Sequence, residues 1–184
     1  FFLLPIWTKR LDMGEYGSAS EVYGFVALLL VIYTFGMETA FFRFARKGDL
    51  KKVYQSSTTA VGFISLFLST LIFLNADDLA LYLGKEVNPS YVQYIAAILF
   101  IDAFIAIPFA MLRLKEKALR FAVIKTTIVS ITITLNLLFL VVFPDILAGK
   151  YLDFLAPSIN KIYEPNMAIG YIFISNLIAN LCYF

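Results

Sequence analysis

The sequence contains no histidine and a single cysteine, Cys182. Histidine is the usual proton relay of hydrolases and transferases, and zinc sites in proteins are built mainly from cysteine and histidine. One cysteine cannot form a disulfide within the chain. These shortages argue against an enzyme, and they predict a chain with no catalytic residue, no cofactor and no metal site.

Charge is scarce as well. Only 15% of the residues are charged, against about 25% in an ordinary soluble domain. The 15 Lys and Arg exceed the 13 Asp and Glu by a scattered net charge of +2, which predicts no nucleic-acid partner. What the chain has instead is 61% hydrophobic residues and a mean hydropathy of +0.83. This composition predicts an all-α, polytopic membrane protein.

Long apolar runs follow one another along almost the whole chain. A helix that crosses the hydrocarbon core needs about 20 mostly apolar residues. The two terminal runs are shorter, because the sequence begins and ends inside apolar stretches, and we therefore expect 1–184 to be a fragment of a longer membrane protein. The predicted spans, with the first and last partial, are 1–7, 22–44, 53–74, 91–112, 118–143 and 167–184.

Lys and Arg are concentrated in alternate loops between the predicted spans, which predicts the orientation of the spans in the membrane. Short cytoplasmic loops of membrane proteins carry an excess of Lys and Arg. We therefore place the two most basic connecting segments in the cytoplasm, so that spans two, four and six run inward. The segment between spans two and three carries Arg43, Arg46, Lys47, Lys51 and Lys52. The segment between spans four and five carries Arg113, Lys115, Lys117 and Arg120.

Asp102 is the most unusual residue of the predicted spans. If span four begins near Tyr91, a rise of about 1.5 Å per residue places Asp102 roughly 16 Å deep, near the bilayer midplane. A carboxyl group there is either a proton- or cation-responsive element of a transport pathway or a hydrogen-bonded tie between helices. Pro108, further along the same span, removes the helical hydrogen bond to the carbonyl of Phe104, which predicts a kink.

Three further charged residues lie toward the cytoplasmic ends of spans two and four. Glu38 and Arg43 are about 140° apart on one helix, so they cannot form a good intrahelical pair. We expect Glu38 to face the bundle. Arg43 and Arg113 can each reach either lipid phosphates or a substrate.

Small and amide side chains mark the helix contacts. Thr58, Gly62, Ser65 and Ser69 form a stripe along span three, which predicts close helix packing. Asn176 and Asn180 lie on one face of span six. We expect these amides to bond across helices, with cavity lining as the alternative.

Four stretches of the sequence together point to a known family. They are LPIWTKRLDMGEYG, FGMETAFFRFARKGD, DAFIAIPFAMLRLKEKALRFAVIK and GYIFISNLIAN. In this order they resemble the bacterial polysaccharide-biosynthesis flippases of the multidrug/oligosaccharidyl-lipid/polysaccharide exporter superfamily. The turn after the first span of such proteins is matched here by Pro5, Thr8, Lys9, Arg10, Leu11, Glu15, Tyr16 and Gly17. The end of their second span is matched by Gly36, Ala40 and Arg43.

This resemblance implies two six-helix lobes that face each other across a cavity open alternately to each side, with the present chain as most of the N-terminal lobe. The implied partners are membrane lipids, an H⁺ or Na⁺ coupling ion and an undecaprenyl-diphosphate-linked oligosaccharide. That substrate would be flipped across the bacterial inner membrane for lipopolysaccharide or capsule biosynthesis. Arg43 and Arg113 would bind the diphosphate, whereas Glu38 and Asp102 would serve ion coupling or a gate that pairs with those arginines.

Other functions remain open at this point. A multidrug or cation antiporter of the same superfamily would use Asp102 for coupling, and a peptidoglycan-precursor flippase is a third relative. A structural membrane subunit would use only the small-residue faces. Membrane enzymes are disfavoured, because aspartyl types need two membrane aspartates and only Asp102 qualifies.

Overall fold

The structure, a computed structural model, is built of helices throughout the part of the chain that it describes. This confirms the predicted all-α class for that part. The described residues are 3–10, 13–83, 88–151, 154, 156–160, 163–164 and 167–182. Leu11 and the outermost residues of the two terminal spans, 1–2 and 183–184, lie outside the described residues.

Ten α-helices and one π-helical segment make up the described fold. In chain order they are α1 (Leu4–Arg10), α2 (Met13–Thr34), α3 (Met37–Ala45), α4 (Leu50–Leu74), α5 (Ala76–Leu83), α6 (Pro89–Leu114), α7 (Ala118–Leu137), π1 (Leu138–Val142), α8 (Phe143–Leu147), α9 (Ala156–Ile159) and α10 (Ala168–Leu181).

Four stretches of the described chain are long and apolar enough to cross a membrane, which is typical of a membrane protein. They are Ser20–Ala45, Leu50–Leu74, Pro89–Leu114 and Ala118–Leu147. The helix of the predicted sixth span, α10, is apolar but has only 14 described residues. It is therefore shorter than the length that a crossing requires.

The third and fourth predicted spans coincide with single helices, α4 and α6. Each begins at a side-chain cap, as a polar residue before an apolar run predicts. Asp49 accepts a hydrogen bond from the N–H of Lys51 at 2.9 Å, and Asn88 accepts one from the N–H of Ser90 at 2.9 Å. Both helices therefore start two or three residues before the predicted limits.

Helix α6 forms the centre of the bundle and is the most deeply buried of the long helices. It packs against α4, α10, α2, α3 and α5. The contact with α4 is close because small residues line it: Ser69 Oγ donates to the carbonyl of Ala96 at 2.8 Å. At Gly62 an added Cβ would lie 3.3 Å from the ring of Phe104. Close packing at this seam agrees with the small-residue stripe of the sequence.

The second predicted span, 22–44, lies within the apolar stretch Ser20–Ala45, but this stretch is not one continuous helix. Helix α2 ends at Thr34, and the next two residues adopt positive φ angles, 46° at Phe35 and 63° at Gly36, before α3 begins. Glycine enters this left-handed region without steric cost and commonly ends helices. Glu38 and Arg43 therefore lie on a separate short helix beyond the break.

The limit of the fifth predicted span, 118–143, also needs correction, because helical structure continues to Leu147. The π1 segment widens the backbone before Pro144, and Pro144 then falls in the first turn of α8. A proline is tolerated in a first turn since its missing N–H would have no helical partner there. The acidic stretch after α4, which lies between the third and fourth predicted spans, contains helix α5.

The break after α2 predicts opposite effects for two glycine substitutions. Gly36→Ala should lower the free energy of unfolding by about 1–2 kcal/mol, because alanine is strained at a φ of 63°. Gly24→Ala, in the interior of α2, should raise it by about 0.5–1 kcal/mol. An added Cβ meets no heavy atom within 4 Å at either position, so backbone conformation alone separates the two. Unfolding by denaturant in detergent micelles measures both, and equal effects would contradict the left-handed turn.

Candidate functional site

A cavity of about 590 Å³ lies between α1, α2, α7 and α10 and is open on one side. Its described lining residues are aromatic, aliphatic or uncharged polar, and none of them carries a charge. They are Leu3, Trp7, Tyr16, Ser20, Tyr23, Ile128, Val129, Thr132, Ile133 and Asn176. The cavity therefore offers aromatic faces and neutral hydrogen-bonding groups to whatever enters it.

Two stacked rings form one wall of this cavity. The centroids of Trp7 and Tyr23 are 6.1 Å apart with an interplanar angle of 17°. Phe173 supports Tyr23 from the bundle interior at a centroid distance of 5.4 Å. The indole Nε1 of Trp7 is buried and has no hydrogen-bond partner among the described residues. A donor left unpaired in this way is costly unless a ligand or water accepts its hydrogen bond.

A short chain of hydrogen bonds leads from the cavity wall into the bundle. Asn176 and Tyr23 both line the cavity. The Nδ2 of Asn180 donates to Asn176 Oδ1 at 3.0 Å, within α10, and to Asp102 Oδ1 of α6 at 2.8 Å. The chain therefore joins α10 to α6. Asn180 bonds across helices as expected, whereas Asn176 lines the cavity, which was the alternative.

Asp102 lies at the inner end of this chain and is not among the residues that line the cavity. Its hydrogen bond to Asn180 ties α6 to α10, which is one of the two roles considered from the sequence. The positive charge of Lys125 on α7 is close enough to interact with the Asp102 carboxyl group, although the two side chains form no direct ion pair. The Lys125 ammonium lies 4.6 Å from the ring centroid of Phe109.

Glu38 and Arg113 form an ion pair between α3 and the last turn of α6. Arg113 Nη2 donates to Glu38 Oε1 at 2.7 Å. The guanidinium also lies 5.6 Å from the ring centroids of Phe42 and Phe121, within the range of cation–π attraction. The structure thus brings together two of the four charged residues singled out in the sequence. Arg43 is exposed on α3 and forms no ion pair with another described residue.

A second group of ion pairs, centred on Asp145, was not predicted from the sequence. Asp145 accepts hydrogen bonds from Arg10 Nη2 at 3.1 and 3.0 Å and from Lys150 Nζ at 2.9 Å. The nearby hydroxyl of Tyr163 stays protonated, because burial raises its pKa. The one hint in the sequence was an acidic residue directly after Pro144 in an apolar run. Its partner Arg10 is 135 residues away, so no local pattern connects them.

The ionic contacts lie at opposite ends of the bundle. Arg113 is close to the start of α7 at Ala118, whereas Asp145 lies near the other end of the same span. At about 1.5 Å per residue, Ala118 and Asp145 are about 40 Å apart. The Glu38–Arg113 pair therefore marks one end, the Arg10–Asp145–Lys150 cluster marks the other, and the uncharged cavity lies between them.

Pro108 lies within α6, which continues without interruption to Leu114. It borders a different depression from the cavity, together with Tyr54 and Met111. The kink proposed at Pro108 stays a prediction. Among the described residues, no group of three or more Cys, Asp or Glu side chains could hold a metal ion.

No family model, no curated protein and no solved structure matches this chain.

Proposed function

We propose that this chain is the N-terminal lobe of a two-lobe transporter that moves a lipid-linked oligosaccharide across the bacterial inner membrane by alternating access. The substrate class is an undecaprenyl-diphosphate-linked glycan used for lipopolysaccharide or capsule biosynthesis. The proposal joins the sequence resemblance to four membrane-crossing helical stretches and, above all, to the open cavity between α1, α2, α7 and α10. In this proposal the chain performs no covalent chemistry and needs no cofactor.

The lining of the cavity suits the glycan part of such a substrate. Sugars present apolar C–H faces and many hydroxyl groups, which pack on aromatic rings and bond to amides and hydroxyls. Trp7 and Tyr23 provide the rings, and Ser20, Thr132 and Asn176 provide the uncharged polar groups. The unpaired Nε1 of Trp7 would donate to a sugar oxygen.

The diphosphate needs a different place, because no described lining residue of the cavity is cationic. Arg113 is held by Glu38 at 2.7 Å and is half exposed, so it becomes available to a phosphate only when this pair opens. We assign the Glu38–Arg113 pair to a gate at the cytoplasmic end of the lobe. Arg43, which has no ionic partner among the described residues, would contact phosphate groups at the same end.

A cation antiporter of the same superfamily is the second candidate. The observation in its favour is the hydrogen-bonded chain from the cavity to Asp102, since a carboxyl group within the membrane is the usual site of proton or cation coupling. This candidate differs in its cargo, because it would export organic cations.

Transport by the full-length natural protein in liposomes separates these candidates. The glycan of a lipid-linked oligosaccharide is labelled, and its protection from an added glycosidase reports translocation. We expect the protein to accelerate translocation at least about tenfold over protein-free liposomes, a factor that corresponds to about 1.4 kcal/mol of barrier. Efflux of an organic cation without glycan translocation would instead establish the antiporter. If neither activity occurs, a structural subunit is the better explanation.

A further inference from the structure

A second apolar depression, here called the lateral groove, lies on the side of the bundle between α4 and α6. It has a volume of about 370 Å³ and shares no lining residue with the cavity of the proposed function. Its lining residues are Thr58, Thr59, Gly62, Phe63, Leu66, Phe100 and Phe104.

Aromatic rings line both sides of the lateral groove. Phe100 and Phe104 of α6 form one wall, with their rings stacked at 6.0 Å and an interplanar angle of 28°. Phe63, whose exposed fraction is 71%, forms part of the opposite wall. Gly62 leaves the space between them open, because an added Cβ there would lie 3.3 Å from the Phe104 ring. An apolar, aromatic lining of this kind suits a hydrocarbon chain.

Cations are concentrated near the end of α4 from which the groove starts. This inner basic cluster consists of Arg46, Lys47, Lys51 and Lys52. None of the four forms an ion pair with another described residue. The one acid among them, Asp49, already accepts hydrogen bonds from the backbone as the cap of α4. The cluster is therefore available to an external anion.

The distances along α4 match one lipid molecule. From Leu50 to Thr58 the helix rises about 12 Å, and from Thr58 to Leu66 it rises about another 12 Å. Half of the hydrocarbon core is about 15 Å thick. A lipid phosphate at the inner basic cluster would therefore place its own hydrocarbon chain beside the groove.

We propose that the inner basic cluster and the lateral groove together bind one anionic phospholipid of the cytoplasmic leaflet. The phosphate contacts the lysine and arginine side chains through charge-assisted hydrogen bonds, and one acyl chain lies between Phe63 and the Phe100–Phe104 pair. The site is separate from the transported substrate, so it stands whether or not the chain belongs to a flippase.

Lipid binding to the full-length natural protein tests the proposal. The purified protein is titrated in detergent with phosphatidylglycerol and, separately, with phosphatidylcholine of the same acyl chains, and bound lipids are counted by native mass spectrometry. We expect phosphatidylglycerol to bind at least about fivefold more tightly than phosphatidylcholine, in line with about 1 kcal/mol of charge attraction. Equal affinities would overturn the role of the cations.

The groove itself is tested by a matched pair of glycine substitutions. Gly62→Leu fills the space beside Phe104, whereas Gly24→Leu on α2 adds the same side chain where a Cβ meets no heavy atom within 4 Å. We expect Gly62→Leu to weaken phosphatidylglycerol binding at least about fivefold, the loss expected when part of an acyl chain is displaced from apolar surface. Gly24→Leu should leave binding unchanged. Equal binding to the two variants would overturn the groove as the acyl site.

Three further variants keep the test decisive if Gly62→Leu fails to fold. Phe63→Ala removes an exposed wall without adding volume and should also weaken phosphatidylglycerol binding. The double change Lys51→Gln and Lys52→Gln should abolish the preference for phosphatidylglycerol, whereas Lys117→Gln with Arg120→Gln, at the same end of the bundle, should keep it. Displacement of the lipid by glycerol 3-phosphate alone would overturn the proposal, since it would show a site for free phosphate.

Discussion

Replacing Ser20 by tryptophan is expected to lower oligosaccharide translocation by the full-length protein at least about tenfold. Ser20 lies on α2 with its side chain exposed to the open cavity. An indole there would occupy the space beside Tyr23 that we assign to the glycan. Loss of about 1.4 kcal/mol of binding or of barrier lowering is enough for a tenfold effect. The glycosidase-protection assay in liposomes measures it directly.

The matched control for this substitution is Thr70→Trp. Thr70 is also small, polar and exposed, but it lies on α4, away from the cavity. The Thr70→Trp protein should transport the oligosaccharide at the rate of the unaltered protein. If Thr70→Trp and Ser20→Trp lose activity equally, the loss reflects general damage to the bundle and the cavity has no part in transport.

Substitutions of Asp102 are expected to separate its structural role from its charge. In Asp102→Leu the Nδ2 of Asn180 loses its carboxylate acceptor. One N–H of this amide still donates to Asn176, but the other is buried without an acceptor. The free energy of unfolding should therefore fall by about 1–3 kcal/mol. Asp102→Asn keeps an oxygen that can accept this hydrogen bond, so its stability should stay close to that of the unaltered protein.

Asp102→Asn should differ from the unaltered protein in transport, even though its stability is similar. Asp102→Asn removes the charge that an H⁺ or Na⁺ ion would neutralise, so we expect transport driven by an ion gradient to fall at least about tenfold. Transport without a gradient should change little. The measurement compares translocation in liposomes with and without imposed H⁺ or Na⁺ gradients. An Asp102→Asn protein that transports at full rate with unchanged ion dependence would limit Asp102 to tying α6 to α10.

Hydropathy alone predicted α4 and α6, because each contains one long apolar run without a break. Their first residues were missed, although the capping residues Asp49 and Asn88 stand directly before them. The division of span two was missed although its signal, Gly36, was visible. Apolar residues continue on both sides of this glycine, so hydropathy alone cannot show that the backbone turns left-handed there.

The candidate site was predicted only in part, because its contacts join residues far apart in the sequence. Depth in a span identified Asp102, and the spacing of two asparagines identified Asn176 and Asn180. Neither signal shows that the hydrogen-bonded chain from Asp102 ends at a cavity, which Tyr23 of another helix helps to form. The pairing of Arg10 with Asp145 likewise depends on how α1 and α8 meet in space, which no single-helix pattern contains.

The left-handed turn at Phe35 and Gly36 also interrupts the backbone hydrogen bonds of the second apolar stretch. The first N–H groups of α3 lie beyond the hydrogen-bond ladder of α2, and hydrocarbon cannot satisfy them. In a bilayer, water or polar protein groups must therefore reach the turn. Because Glu38, two residues after Gly36, holds Arg113, Asp102 lies about 16 Å away from this place along α6. The turn and the Asp102 carboxyl group are thus two separate polar positions in an otherwise apolar bundle.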